Sequence, residues 1–556
     1  MNKSIKYFFL LSLLFIGLSW LVPNHYLPWL TSHSDFLAFL SLFFLSLATF
    51  FSIKRIVVPK KVILFFLFLM FIPFFQFFFG KIFFFGDALI SSLYLLGFLI
   101  AYSVGYNLAE YKIFIYKYFF MLILFVSILS VYIVLKQWML LTSNGVWIVE
   151  IPPGGRPFAN FAQPNNCSTF LSIGLMATLY LYEKKYINSF SGIIISIFIL
   201  FGIALCQSRT AWVFVVLFIF WWLFKTRNFN VRLNRYLIFY FSSLFALFVL
   251  IIPFFSDYLD VMFTKDIITR ATTGHLRIPM WHQMLLAIAN EPLVGYGWNQ
   301  VSVAQLSIYL DYPTTEWVEH SHNIFLDLLV WNGIPIGVFI IFFLCLWLYE
   351  ISKLVNDIES FISLSMVGIV LIHAMLEYPL DYAFFLLPVG FLLGNVQYKD
   401  DGIKLVYIKQ SVLKSLIIFS SIIYVWIFFE YRVIEKDIQL LRFEMYNIGE
   451  LHSNSATPNI LLLTQLKEQI RFSRTIPHSN MSRQQLDWMR RVAYRYATPY
   501  NLYHYAQALA LNDKNESAKK HLLILEKLYG RKYNFSSLYD VNQSLAFEWH
   551  KKSVSK

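Results

Sequence analysis

The feature that most constrains this chain is a recurring apolar run of near-membrane length. Such runs fall near 5–22, 36–53, 62–79, 88–105, 119–136, 165–182, 190–206, 211–224, 236–254, 322–348, 360–376, 383–398 and 412–429. About 20 apolar residues are needed to carry a helix across roughly 30 Å of hydrocarbon. A segment in that medium has to satisfy its backbone polar groups internally, which a helix does. The pattern predicts an all-α polytopic membrane protein with about 12–13 transmembrane helices. The run at 211–224 is short, and Pro335, lacking an N–H, predicts a kink in the run at 322–348.

Composition excludes the soluble alternatives. Of 556 residues 58% are hydrophobic and only 14% charged, far less charge than a water-soluble domain of this size carries. The formal net charge of +13 does not point to nucleic acid, because the lysines and arginines are scattered through short connections between spans. Cys167, Cys206 and Cys345 lie in or at the ends of apolar runs, without metal-ligand spacing or a disulfide framework, and read as small packing residues. Lys3 and Lys6 precede an apolar run that continues to Val22 without a small-residue cleavage site, so it reads as a first, uncleaved span.

Basic residues set the expected orientation. Lys3 and Lys6, Lys54 to Lys61, Lys112 and Lys117, Lys184 and Lys185, Lys225 to Arg235, Lys353, and Lys399 to Lys409 fall in alternate connections. Those connections, and the N-terminus with them, are expected to be cytoplasmic. The outward set then holds loops at 137–164 and 255–321, the turns Ser208–Thr210 and Glu377–Tyr382, and the region after 429. Every oddly composed polar segment is on that side, which suits a reaction at one face. A transporter would place polar groups on broken helices at mid-membrane, so a polysaccharide flippase is disfavoured.

The sequence divides into a transmembrane catalytic domain, 1–429, and a polar C-terminal domain, 430–556, with helical periodicity. Tyr500–Leu511 and Glu516–Tyr529 predict an antiparallel helix pair joined at Asn512–Asn515, similar to a tetratricopeptide hairpin. A lone hairpin also reads as a plain helical cap, with docking of a protein substrate as the functional alternative.

Five outward segments offer chemistry. In 152–166, PPGGRPFANFAQPNN, the amides of Gln163, Asn165 and Asn166 suit sugar hydroxyls or phosphate oxygens, and Arg156 adds a fixed charge; Asn165 is also placed to cap the following helix. In Ser208-Arg209-Thr210 a guanidinium at a membrane turn either snorkels or holds an anion at two points. In 270–281, RATTGHLRIPMW, Arg277 stands one helical turn before Trp281. The aromatic turn NEPLVGYGW follows, its aromatics suited to headgroup depth or to stacking on sugars. In Glu319-His320-Ser321-His322-Asn323 two imidazoles stand at the mouth of a span, either anchoring it or moving protons near neutral pH. In 373–388, HAMLEYPLDYAFFLLP, His373 is an ionisable group inside a span, and Glu377 and Tyr378 fill the turn beyond it.

These segments, in this order, resemble the bacterial O-linked protein oligosaccharyltransferases of the pilin-glycosylation ligase type, within the O-antigen ligase and polymerase superfamily. The motifs are RxFANFAQPNN, SRT, RxxxW…PLVGYGW, HSHNxFLxLLxxNG and EYPLxYxFFLLP, and the likeness is close over about 140–400. Family members often have Glu where this chain has Asn332, and His where it has Asn166. The helical region after the last span favours a protein acceptor. A lipid A-core O-antigen ligase or an O-antigen polymerase is the alternative within the class.

The resemblance implies transfer of a preassembled glycan from undecaprenyl diphosphate to a serine or threonine hydroxyl of a periplasmic protein, usually pilin. No metal or other cofactor is expected. His322 is the expected base, with His320 second and positioning the acceptor. Arg209 and Arg277 are expected to hold the departing diphosphate. Gln163 and Tyr378 are expected to bond the diphosphate or first sugar, with Arg156, Asn165, Asn323, Glu377 and His373 around the substrate. Attack in line with the departing diphosphate would invert the anomeric centre. The implied location is the bacterial inner membrane, with the active face and C-terminus periplasmic.

Overall fold

The computed structural model describes residues 3–141, 145–151, 155–259, 261, 277–445 and 456–539. Each apolar run forms a helix. The first nine are α1 (Lys3–Leu21), α2 (Ser32–Ser52), α3 (Lys60–Phe78), α4 (Phe85–Leu108), α5 (Lys112–Trp138), α6 (Pro164–Glu183), α7 (Ser189–Cys206), α8 (Arg209–Lys225) and α9 (Arg235–Tyr258). Two shorter helices, α10 (Arg277–Asn290) and α11 (Val301–Ser307), precede α12 (Ile324–Lys353), α13 (Ile358–Ala374), α14 (Ala383–Gln397) and α15 (Gln410–Met445). Four helices follow, α16 (Thr464–Arg474), α17 (Arg483–Arg495), α18 (Pro499–Ala510) and α19 (Asn515–Tyr529). Among the described residues eight stretches are long and apolar enough to cross a membrane, one of them, Phe85–Trp138, holding both α4 and α5. Three shorter apolar helices stand at Ile5–Leu21, Ile358–Ala374 and Ala383–Gln397. The protein is an all-α, multi-pass membrane protein. The described strands are a single antiparallel pair, β1 (Ile56–Pro59) and β2 (Leu405–Ile408), in register Ile56 to Ile408. Asn107 tethers it by bonding Val57 N at 3.0 Å and Val57 O at 2.7 Å.

The chain forms two compact units. The first comprises Met1–Phe68, Tyr94–Gly274 and Phe343–Ser421. Apolar side chains gain little by leaving lipid for protein, so helices there associate through small residues and buried polar bonds. In α1 and α2, Ser12 and Ser41 bond side chain to side chain at 2.9 Å, and Ser41 also donates to the Ser12 carbonyl at 2.8 Å. Between α4 and α14 the backbones approach so closely that a Cβ on Gly394 would lie 2.0 Å from the Tyr102 carbonyl oxygen. At the same interface the Tyr102 hydroxyl donates to Gln397 Oε1 at 2.7 Å, and Trp347 Nε1 donates to that atom at 2.8 Å. Buried Asp35 accepts from Thr31 and from the Ala383 amide.

The second unit comprises Leu69–Leu93, His275–Phe342 and Ile422–Lys556. Its core joins Met489, Val492, Leu502, Leu509 and Leu525 of α17–α19 to Phe84, Leu306 and Tyr309. The α18–α19 pair is the hairpin expected from the sequence. The helix expected to end near 429 instead runs to Met445. Glu430 on it accepts from the amides of Leu461, Leu462 and Leu463 at 2.8–3.1 Å, and Arg495 forks onto Asp87 at 3.1 and 3.3 Å.

The kink expected at Pro335 is a break centred on Gly333, which has φ 72° and ψ 175°. Pro335 has no N–H to return to the Trp331 carbonyl, and Gly333 is the residue that absorbs the turn at positive φ.

Candidate functional site

In the first unit the site begins with the loop before α6. Gln137, a lone amide at the end of α5, donates to the carbonyls of Val149 and Ala159, both at 2.9 Å, and accepts from Phe158 N and Ala159 N. Asn160 donates to Leu21 O at 2.7 Å and Trp147 O at 3.0 Å and accepts from Val149 N. Ala159 and Ala162 take left-handed φ of 50° and 63°, each costing about 1–2 kcal/mol for a residue with a Cβ. The loop is therefore stapled by side-chain amides into a conformation its alanines would not choose. Gln137 was missed in the sequence; its signal was an amide closing an otherwise apolar helix. Pro152, Pro153 and Gly154 of this segment lie outside the described residues.

The loop delivers Gln163 and Asn165 to the start of α6. Asn165 does not cap the helix, contrary to expectation: Gln163 stands at the N-cap, without a side-chain capping bond. Asn165 instead donates to Glu377 Oε1 at 3.0 Å and accepts from Ser208 Oγ at 2.8 Å. One amide thus joins three of the segments singled out in the sequence. Gln163 Nε2 is 3.4 Å from Asn166 Oδ1, and Asn166 in turn bonds Tyr382, the partner of Tyr378. His373 is fully buried, its Nδ1 2.9 Å from the Thr169 hydroxyl, and its carbonyl accepts from Glu377 N.

Arg156 donates to the Gln207 carbonyl at 3.1 Å. Burial lowers its pKa, Arg209 adds to the lowering, and Glu377 opposes it. Two guanidinium groups near enough to repel are stabilised by an anion between them. Arg209, exposed at the first turn of α8, adds the positive end of a helix dipole. The first unit thus gathers Arg156, Gln163, Asn165, Arg209, Glu377 and Tyr378 into one polar cluster suited to a phosphate or sugar, while the His373 side chain is buried against Thr169.

The second unit holds Arg277, His320, His322 and Asn323. Arg277 opens α10, the residues from 270 to 276 lying outside those described. Trp281, one turn on, donates Nε1 to the Ser321 carbonyl at 2.9 Å, so the helix carrying Arg277 is tied to the residue between the two histidines. Ser321 N donates to Asp327 Oδ1 at 2.7 Å, and its hydroxyl donates to Asn323 O. The side-chain Oδ1 of Asn323 accepts from Phe325 N at 3.0 Å and Leu326 N at 3.3 Å, capping α12. Between these anchors His322 takes φ 54°. Asp327 Oδ2 lies 3.7 Å from His320 Nδ1. That Asp327 would stand beside His320 was not anticipated from the sequence, although the residue was visible inside the apolar run.

Behind the histidines the broken helix is sealed by the aromatic turn. The carbonyls of Val330 and Trp331 accept from Tyr296 N at 2.9 Å and Gly297 N at 3.0 Å, and Ile334 N donates to Pro292 O at 2.7 Å. Gln76 donates to Trp331 O and Asn332 Oδ1 and accepts from Trp298 N. Asn332 is thus a buried member of this network. Among the described residues no group of three or more His, Cys, Asp or Glu is assembled that could hold a metal ion.

Three family profiles match the chain: "Protein glycosylation ligase" over residues 157–182, "O-Antigen ligase" over 194–341, and "Virulence factor membrane-bound polymerase, C-terminal" over 362–543. The chain is 36% identical to a general O-oligosaccharyltransferase of Acinetobacter baylyi, over 96% of its own length and 94% of that protein. It is 32% identical to a ComP-specific O-oligosaccharyltransferase of the same organism, over 74% of this chain and 75% of that one. A glycosylation-ligase motif held by stapled amides, an O-antigen ligase segment carrying the histidines, and likeness along nearly the whole length agree: the chain belongs to the membrane-bound O-oligosaccharyltransferases, which are glycosyltransferases.

Proposed function

We propose that this enzyme moves a preassembled glycan from an undecaprenyl-diphosphate carrier to a serine or threonine hydroxyl of a periplasmic protein, pilin being the first acceptor to test. His322 takes the hydroxyl proton as the oxygen attacks the anomeric carbon. The new carbon–oxygen bond forms as the sugar–phosphate bond breaks, and undecaprenyl diphosphate leaves with the bonding electrons. An unaided alcohol is a poor nucleophile, so the base lowers the barrier. Arg209 and Arg277 hold the charge growing on the diphosphate, the part a metal ion plays elsewhere. Gln163, Asn165, Tyr378 and Arg156 hold the diphosphate or first sugar, and no metal takes part. The protein sits in the inner membrane with its N-terminus cytoplasmic and these residues facing the periplasm.

The observation that carries this reading is the hydrogen bond from Trp281 to Ser321, which ties the helix bearing Arg277 to the segment bearing His322. The test is intact-mass analysis of pilin from a strain supplying one defined lipid-linked glycan, with and without this enzyme. A mass increase equal to the glycan, seen only with the enzyme, is expected. Unmodified pilin in both, with the glycan joined to lipopolysaccharide instead, would replace this reading by the O-antigen ligase one.

A further inference from the structure

Asp327 is assigned nothing by the proposed reaction, yet it is buried in the first turn of α12 and touches the histidine segment at two points. Its Oδ1 accepts the Ser321 amide at 2.7 Å, which fixes the backbone on one side of His322. Its Oδ2 stands 3.7 Å from His320 Nδ1. A buried carboxylate is costly unless it is bonded and paired, so keeping one here calls for a reason beyond packing. The chain neighbour of His320, Glu319, is approached by Arg495 Nη1 to 3.8 Å. The ring of Trp331 meets His320 edge to face at 6.4 Å between centroids. Asp327 is therefore the carboxylate placed to set the charge and tautomer of His320.

We infer that Asp327 is a positioning residue for the transfer, one carboxylate that both aims His322, through the Ser321 amide, and sets the protonation of His320. This rests on the reading above. The aiming follows from the left-handed backbone of His322, at φ 54°. That conformation is sparsely populated for residues other than glycine and persists here because both neighbours are tied, Ser321 by Asp327 and Trp281, Asn323 by its cap on α12. The electrostatic part follows from the distance. A carboxylate this close favours the imidazolium and holds a proton on Nδ1, leaving Nε2 as the basic nitrogen.

Two substitutions separate the parts. In Asp327→Asn the side-chain oxygen still accepts the Ser321 amide while the charge is gone. In Asp327→Ala both functions are lost. Initial rates are measured with purified enzyme, lipid-linked glycan and acceptor protein across pH, with thermal unfolding in detergent checking that each variant is folded. For Asp327→Ala, kcat should fall about a hundredfold with little change in acceptor KM, as expected for a misaimed base. For Asp327→Asn, the plateau rate should stay near wild type, and the acidic limb, which reports the base His322, should move about one unit to lower pH, because the loss of this buried negative charge makes both imidazoles of the segment bind a proton less tightly. A folded Asp327→Ala variant with wild-type kcat, or an Asp327→Asn variant with an unmoved acidic limb, overturns the inference. No transfer by the wild-type enzyme refutes the proposed function instead, so the two failures are distinguishable.

Discussion

The backbone amide of Tyr296 donates to the carbonyl of Val330 at 2.9 Å, closing a gap that the helix cannot close itself. Val330 lies four residues before Ile334, and Trp331 four before Pro335, so the break at Gly333 strips both carbonyls of their helical donors. The turn Pro292–Gly297 supplies replacements. Two sequence motifs that looked like separate pieces of chemistry, PLVGYGW and the Asn-Gly-Ile-Pro of α12, are two halves of one backbone joint behind the histidine segment.

That joint predicts a sharp intolerance at Gly333. A Cβ there would lie 2.5 Å from the backbone carbon of Leu293, and the positive φ adds its own penalty. Gly333→Ala should destabilise by about 3 kcal/mol, the sum of a left-handed conformation and an overlap with backbone. Thermal unfolding in detergent measures this as a clear drop in Tm. An unchanged Tm would mean the joint is looser than described.

Arg277→Lys should cut transfer about a hundredfold, because an ammonium cannot grip phosphate oxygens at two points as the planar guanidinium does. Its level in the membrane should be unchanged. Near wild-type turnover would reduce Arg277 to an interfacial anchor.

A pH effect is expected in the C-terminal helices, apart from catalysis. His504 lies against Tyr500 and Phe472, and burial lowers its pKa from 6.5 to about 4 despite a bond to the Thr475 carbonyl. Its folded value is depressed, so its neutral form supports stability above pH 6.5, and that support is lost as pH falls from 6.5 towards 4. Buried His521 is shifted the same way. For His504 the loss across this window is about 3 kcal/mol. Unfolding of the full protein followed between those pH values should show it, and His504→Gln should flatten the slope. An equal slope in both proteins would contradict the assignment.

The proposed reaction gives Arg209 and Arg277 the charge on the leaving diphosphate, so transfer should survive EDTA. Rates before and after chelation, with magnesium restored as a control, decide this. A loss that magnesium reverses would point to a metal-assisted transferase.

Most of the helical frame was legible because hydrophobic length is a one-dimensional property: each of the apolar runs became a helix, although the one expected to end near 429 runs on to Met445 as a polar extension that hydropathy does not mark. The candidate residues were legible because polar groups in short turns between spans need partners. Partners themselves were not legible. Asn165 looked like a cap, and its bonds to Glu377 and Ser208 join residues 212 and 43 positions away. Pro335 was visible as a breaker, yet the residue that absorbs the bend is Gly333, where a positive φ and a close backbone meet. Asp327 and Gln137 hid inside or at the end of apolar runs, where a lone polar residue shows that a partner exists but not which one.

The most direct test of the central claim is reconstituted transfer by the wild-type enzyme and His322→Ala, using purified lipid-linked glycan and purified acceptor, read by the intact mass of the acceptor. The account predicts glycosylated acceptor with the wild-type enzyme and none above background with an equally stable His322→Ala variant. Full glycosylation by that variant would contradict it.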